Sequence, residues 1–287
     1  MAVKKRGRSR RPGSRTASSR RPRKSRRGPP RTTRTKKRAS RAPRDLAEAA
    51  TVAADDSYSA VPRLRSGPGV LVLHAWWGLN PFIRTLCDRL AREGFVALAP
   101  DLYHGRTVST IGDAESAMSG LKWEMVQSEL LRAVDKLRSL SATKSIGLVG
   151  LSLGASWSLW LARARPEEVS AVVTFYGAEA LDFQEARAAF QCHFAAEDPY
   201  VSAGERQQFE DRLRSSGREF EIHDYPGTHH WFIEEDRPEY HETAARLAWR
   251  RTLGFLRGHL PSPVVPPRGE GHRKPLESAA ISQRVPP

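Results

Sequence analysis

The chain has 287 residues and a formal net charge of +15, but residues 1–44 hold 20 Lys or Arg and no acid, which leaves a net of −5 over residues 45–287. That division excludes a uniformly basic nucleic-acid binder, and two cysteines, Cys87 and Cys192, exclude a disulfide scaffold or a zinc site of closely spaced thiolates. No run approaches the ~18 apolar residues of a membrane span, and residues 1–44 lack the apolar stretch of a secretory signal, so a soluble cytoplasmic protein is the default.

Residues 1–44 are mainly Arg, Lys, Ser, Pro, Thr and Gly, without hydrophobic periodicity. Such a segment buries too little apolar surface to offset its ordering entropy, and it is expected to be a disordered basic tail. One domain is expected over residues 45–260. Val70-Leu71-Val72-Leu73-His74 reads as a strand buried on both faces, followed by an amphipathic helix over 81–93. A second strand is expected over 95–99, stopped by Pro100, then a long helical region over 113–140. Strands over 145–149, 171–175, 190–194 and 219–224 alternate with helices over 153–164 and 203–215. An amphipathic helix over 238–259 closes the series, and the Pro-rich, polar stretch 261–287 is expected to be a second disordered tail. Strands alternating with helices of this length predict an α/β fold: a mostly parallel sheet with helices on both faces.

The sharpest chemical signal is Gly150-Leu151-Ser152-Leu153-Gly154, between a predicted strand and a predicted helix. This is the nucleophile-elbow pattern in the setting it requires. A sharp turn lifts the seryl oxygen above the sheet edge, glycines let the flanking backbone pack closely, and the helix N-terminus offers N–H groups to a developing negative charge. An acid and then a histidine should follow in chain order. After the strand ending at Phe194 come Glu197 and Asp198; Asp198 is preferred because Pro199 holds it extended at the strand exit. For the base, Tyr225-Pro226-Gly227-Thr228-His229-His230-Trp231-Phe232 follows the next strand, and spacing alone leaves His229 and His230 open.

With these pieces in order, residues 67–259 resemble the dienelactone hydrolase family of the α/β-hydrolase fold. The matching segments are His74-Ala75-Trp76-Trp77-Gly78-Leu79-Asn80, Ala99-Pro100-Asp101-Leu102-Tyr103, the elbow at 150–154, Phe175-Tyr176-Gly177, and residues 225–232. The resemblance implies His230 as the base, since family members read Tyr-Pro-Gly, two further residues and then the catalytic histidine. The founding enzymes use a cysteine nucleophile and a glutamate before the oxyanion-hole turn, where this chain has Ser152 and Ala75. A serine activated by histidine needs no thiolate switch, so that pair of departures is self-consistent. What is implied is a serine hydrolase acting on a small-molecule ester or lactone through an acyl-enzyme. Its triad would be Ser152, Asp198 and His230, with the backbone N–H groups of Leu153 and Trp76 as the oxyanion hole and no metal or organic cofactor.

Trp77 and Tyr103 are expected to line the substrate pocket, and Arg84 and Arg106 are candidates for recognising a substrate carboxylate. Trp157 and Trp160, three apart on the helix after Ser152, are expected in the core. The basic tail reads as an inert solubilising leader; its alternatives are sequence-independent contact with nucleic acid through phosphate neutralisation, or a targeting segment. The rival function for the whole chain is therefore a hydrolase scaffold tethered to nucleic acid by residues 1–44, with catalysis incidental.

Overall fold

The apolar runs assemble into one seven-stranded sheet in the computed structural model, which describes residues 56–261. The strands are β1 (Tyr58–Ala60), β2 (Gly69–Leu73), β3 (Val96–Ala99), β4 (Ile146–Leu151), β5 (Val169–Phe175), β6 (Ala189–Glu197) and β7 (Phe220–His229), in spatial order β1-β3-β2-β4-β5-β6-β7. Only β1 runs antiparallel to its neighbour; β2 to β7 pair in parallel. The helices are α1 (Pro81–Arg92), α2 (Ile111–Ser119), α3 (Trp123–Leu140), α4 (Leu153–Ala164), α5 (Ala203–Ser216) and α6 (Glu242–His259).

Continuous apolar strands follow from a sheet covered on both sides, because successive side chains point to opposite faces. Val70 and Val72 of β2 join a cluster with Leu86 of α1 and Leu256 of α6. Their neighbours Leu71 and Leu73 join the cluster on the other side, with Val134 of α3, Leu159 of α4 and Leu213 of α5.

Three elements depart from expectation. Strand β1 is three residues at the sheet edge, too short to show a period; Tyr58 Oη also donates to Asp88 of α1 at 2.8 Å. The helical region 113–140 is two helices. The first is capped by the Thr110 side chain and ends at Gly120, whose amide bonds back to Ser116 and Ala117 at 3.2 Å. The closing helix begins at Glu242 and not at Pro238, with the His241 ring accepting from the Ala244 amide. Upstream of it, residues 231–240 form successive turns that tie Glu234 N–H to Trp231 and Arg237 N–H to Glu234. The tails expected at 1–44 and 261–287 lie outside the described residues, apart from Pro261. Among the described residues no helix is long and apolar enough to cross a membrane.

Candidate active site

The turn after β4 places Ser152 at the carboxyl edge of the sheet, where open parallel sheets carry their ligand sites. Ser152 has φ +50° and ψ −113°, a conformation that costs a non-glycine residue roughly 1–3 kcal/mol. It is held by bonds from its own amide to Phe175 O at 3.0 Å and from the Ala155 amide to its carbonyl at 2.8 Å. The two glycines of the motif are required by close approach. A Cβ on Gly154 would lie 2.1 Å from the Leu73 carbonyl, and one on Gly150 would lie 2.2 Å from the Gly154 carbonyl. The start of α4 is thus pressed against the ends of β2 and β4, and Ser152 turns outward.

The parallel pairing of β6 with β7 sorts the two acids and the two histidines, of which spacing left the histidines open. Glu197 is registered against His229, and those side chains meet at 3.6 Å on the exposed side. The next residues point the other way. His230 Nδ1 lies 2.8 and 2.7 Å from the two Asp198 oxygens, and His230 Nε2 lies 3.0 Å from Ser152 Oγ. Both side chains are nearly out of solvent, His230 at 3% and Asp198 at 6% exposure, so their contact is weakly screened. Asp198 Oδ1 also accepts from the amides of Tyr200 and Val201 at 2.9 and 3.1 Å, which fixes the carboxylate from behind.

Several side chains around this line were given no role in the sequence, although Tyr176 falls in one of the segments that carry the resemblance. The Tyr176 ring lies 4.6 Å from the His230 ring, and Tyr200 lies 4.9 Å from it. Tyr176, itself at φ +41°, donates its hydroxyl to Glu234 at 2.6 Å in a fully buried bond. Burial pushes the Glu234 carboxyl up to about 8; the Tyr176 bond opposes this and the charge of Asp236 adds to it. Glu234 is therefore mainly a neutral acid near pH 7. Its full burial could not be read from a charged residue in a loop.

Trp76 and Leu153 both border the cavity over Ser152. Leu153 opens α4, where the first N–H groups have no acceptor within the helix. The segment carrying Trp76 is braced by the buried His74 ring, which lies 2.7 Å from the Ala75 carbonyl through Nδ1 and accepts from the Leu102 amide at Nε2, 3.2 Å. Burial holds the His74 imidazole below its ordinary value, consistent with a neutral ring doing both.

The cavity has a volume of about 540 Å³. It is bordered by Trp157 and Trp160 together with Trp123 and Met118; Trp157 is a buried core residue, as expected, that also borders the cavity, whereas Trp160 is only partly buried. Their spacing of three puts both on one side of α4, where the Trp157 ring meets Trp123, the first residue of α3, at 4.8 Å. Trp77 and Tyr103, expected in the pocket, do not line it. Trp77 is buried against Trp231 with the Arg237 guanidinium 3.7 Å from its ring centroid, and Tyr103 packs edge-on against His74. Nor do the candidate arginines reach it: Arg84 lies over Tyr58, and Arg106 borders a separate surface hollow with Asn80 and Asp236. Among the described residues no group of three or more His, Cys, Asp or Glu could hold a metal ion. Cys87 and Cys192 are buried free thiols, both pushed up to about 12 chiefly by burial.

Comparison with known proteins places the chain in a family. The model of the dienelactone hydrolase family matches residues 56–260. The chain is 32% identical over 215 residues to "Protein usf" of Aquifex pyrophilus, covering 71% of this chain and 93% of that one. It is 30% identical over 215 residues to the "Putative carboxymethylenebutenolidase" of Aquifex aeolicus, with the same coverage. Among solved structures, the "Putative Dienelactone Hydrolase" of Klebsiella pneumoniae superposes with a TM-score of 0.64 at 24% identity, covering 70% of this chain and 91% of that one. That structural likeness speaks to the fold: an α/β-hydrolase sheet with helices on both faces.

Proposed function

The chain belongs to the dienelactone hydrolase family, and we propose that it hydrolyses a carboxylic ester or lactone with Ser152 as the nucleophile. The observation that carries the reading is the line from Asp198 through His230 to Ser152, with contacts of 2.7 and 3.0 Å, ending at a strained seryl residue on a cavity floor. His230 carries its proton on Nδ1, toward Asp198, which leaves Nε2 free to take the Ser152 proton as Oγ attacks the carbonyl carbon. The imidazolium so formed is stabilised by the Asp198 carboxylate. The oxyanion of the tetrahedral intermediate is received by the N–H groups of Leu153 and Trp76. His230 then returns the proton to the leaving oxygen, the alcohol departs or the lactone ring opens, and a seryl ester remains. Water, deprotonated by the same nitrogen, attacks that ester and releases the acid and free Ser152. With serine as nucleophile, no acidic partner is needed at Ala75 to hold a thiol neutral.

A fluorophosphonate probe tests the reading. Stoichiometric labelling of the full chain, absent in Ser152→Ala, is the expected result, accompanied by turnover of short 4-nitrophenyl esters. A folded protein that neither labels nor turns over an ester would overturn it.

A further inference from the structure

The cavity over Ser152 is much larger than an acetyl group requires, at about 540 Å³, and its walls are unusually aromatic. Trp157 lies between two other tryptophans, with ring centroids 4.8 Å from Trp123 and 5.9 Å from Trp160. A second pair, Trp76 and Tyr200 at 5.5 Å, borders the space beside His230. Trp123 is 53% exposed and still lines the cavity, which puts it at the opening. Aromatic walls of this kind reward a flat or branched apolar group by area removed from water and by edge or offset ring contacts.

The charges on the lining have one sign. Among the described residues, the cavity is bordered by the carboxylates of Glu179 and Glu205 and by no Lys or Arg. Both carboxylates are exposed and hydrogen-bonded: Glu179 accepts from Ser156 Oγ at 3.0 Å, and Glu205 from Ser202 Oγ at 2.6 Å. A substrate carboxylate entering here would lose water, meet like charge and find no cationic partner on these walls.

We propose that Ser152 acts on esters bearing a bulky, uncharged aromatic or arylalkyl group, and that the site discriminates against substrates carrying a carboxylate. This rests on the hydrolase reading above and names its substrate class. Trp157, Trp160 and Trp123 supply the preference for the ring, while Glu179 and Glu205 supply the penalty on the anion.

Two matched series test it on the full chain. In the first, 4-nitrophenyl esters vary the acyl group: acetyl, 3-phenylpropanoyl, glutaryl with a free carboxylate, and the methyl ester of that glutaryl. In the second, acetates vary the alcohol: ethyl, 2-phenylethyl, 3-carboxypropyl, and its methyl ester. In at least one series the phenyl member should exceed the smallest member in kcat/KM by about tenfold or more. In that series the carboxylate should fall below its own methyl ester by about tenfold, and the gap should narrow as ionic strength rises. Trp160→Ala should cut the phenyl preference. Glu179→Arg, on an exposed side chain, should raise the ratio of carboxylate to methyl ester by about tenfold. Turnover in which the carboxylate equals or exceeds its methyl ester in both series, or in which neither series favours phenyl, would overturn this inference and leave the hydrolase reading intact. Absence of both turnover and fluorophosphonate labelling would overturn the hydrolase reading, and this one with it.

Discussion

Glu234 is a carboxyl group with no solvent, a tyrosine hydroxyl on one oxygen and a buried second oxygen without a protein partner. Its ionisation is displaced to about 8 by burial, with Asp236 and Glu239 adding to the shift and Tyr176 and Arg237 opposing it. In the unfolded chain the same group titrates near pH ~4.3. Between those values the unfolded state gives up its proton first, so the contribution of Glu234 to stability is complete below the unfolded value and is lost as pH rises toward about 8. Glu234→Gln keeps an oxygen to accept from Tyr176 and cannot ionise. Its unfolding free energy relative to the parent should therefore rise between pH 5 and 8, by up to roughly 1.4 kcal/mol per pH unit. Urea titrations of both proteins at pH 5, 6.5 and 8 measure this, and parallel profiles would contradict it. A second pair of substitutions addresses the two histidines. His230→Ala should lower kcat/KM by about three orders of magnitude or more. His229→Ala, on an exposed side chain paired with Glu197, should cost less than about tenfold. Equal losses in steady-state assays would undo the assignment. The chain order of serine, acid and histidine could be read directly, and so could the preference for Asp198. The partnering of the acids with the histidines could not, because it depends on which face of β6 and β7 each side chain takes.

The elbow joins β4 to α4 by approach so close that neither glycine leaves room for a methyl group. Gly154→Ala would drive a Cβ into the Leu73 carbonyl, 2.1 Å away, where backbone has to move. The expected result is a loss of about 2 kcal/mol or more in stability, together with reduced labelling of Ser152 as the turn shifts. Gly254, on the exposed side of α6, is the control, because a Cβ there would meet nothing within 4 Å. Gly254→Ala should gain about 0.5–1 kcal/mol through helix propensity. Chemical denaturation of the two variants separates close approach from propensity, and a neutral Gly154→Ala would show that the contact relaxes without cost. The parallel strands were readable at this scale because burial on both faces leaves uninterrupted apolar runs. The break between α2 and α3 was not, since Gly120 sits within an otherwise helical pattern and a single glycine does not mark which turn ends. The spacing of three between Trp157 and Trp160 identifies a common side of α4 but not whether protein or cavity covers it. Strand β1 pairs only three residues, Tyr58 to Ala60, with β3, too few to display alternation.

At the scale of the whole molecule, the charge is divided more sharply than the fold. The net of +15 is the sum of 20 basic residues within 1–44 and a net of −5 beyond them. Among the described residues, the contacts given for the candidate site are made by residues 73–239, within the stretch matched by the family model. If residues 1–44 are the separate basic tail expected from the sequence, a segment with no apolar periodicity adds no hydrophobic burial to residues 45–260. Deleting residues 1–44 should therefore leave the melting temperature and ester turnover unchanged. Any affinity of the full chain for duplex DNA should reside in those 44 residues and fall steeply with salt, because each phosphate neutralised by Arg or Lys releases condensed counterions. The truncated chain, of opposite net charge, should bind no duplex. Titrating both chains against a random duplex at about 50 and 200 mM salt compares them where that dependence is large. Salt-insensitive binding, or binding retained by the truncated chain, would assign nucleic-acid contact to the acidic portion. A fall in melting temperature or turnover on truncation would show that the basic segment supports the hydrolase domain.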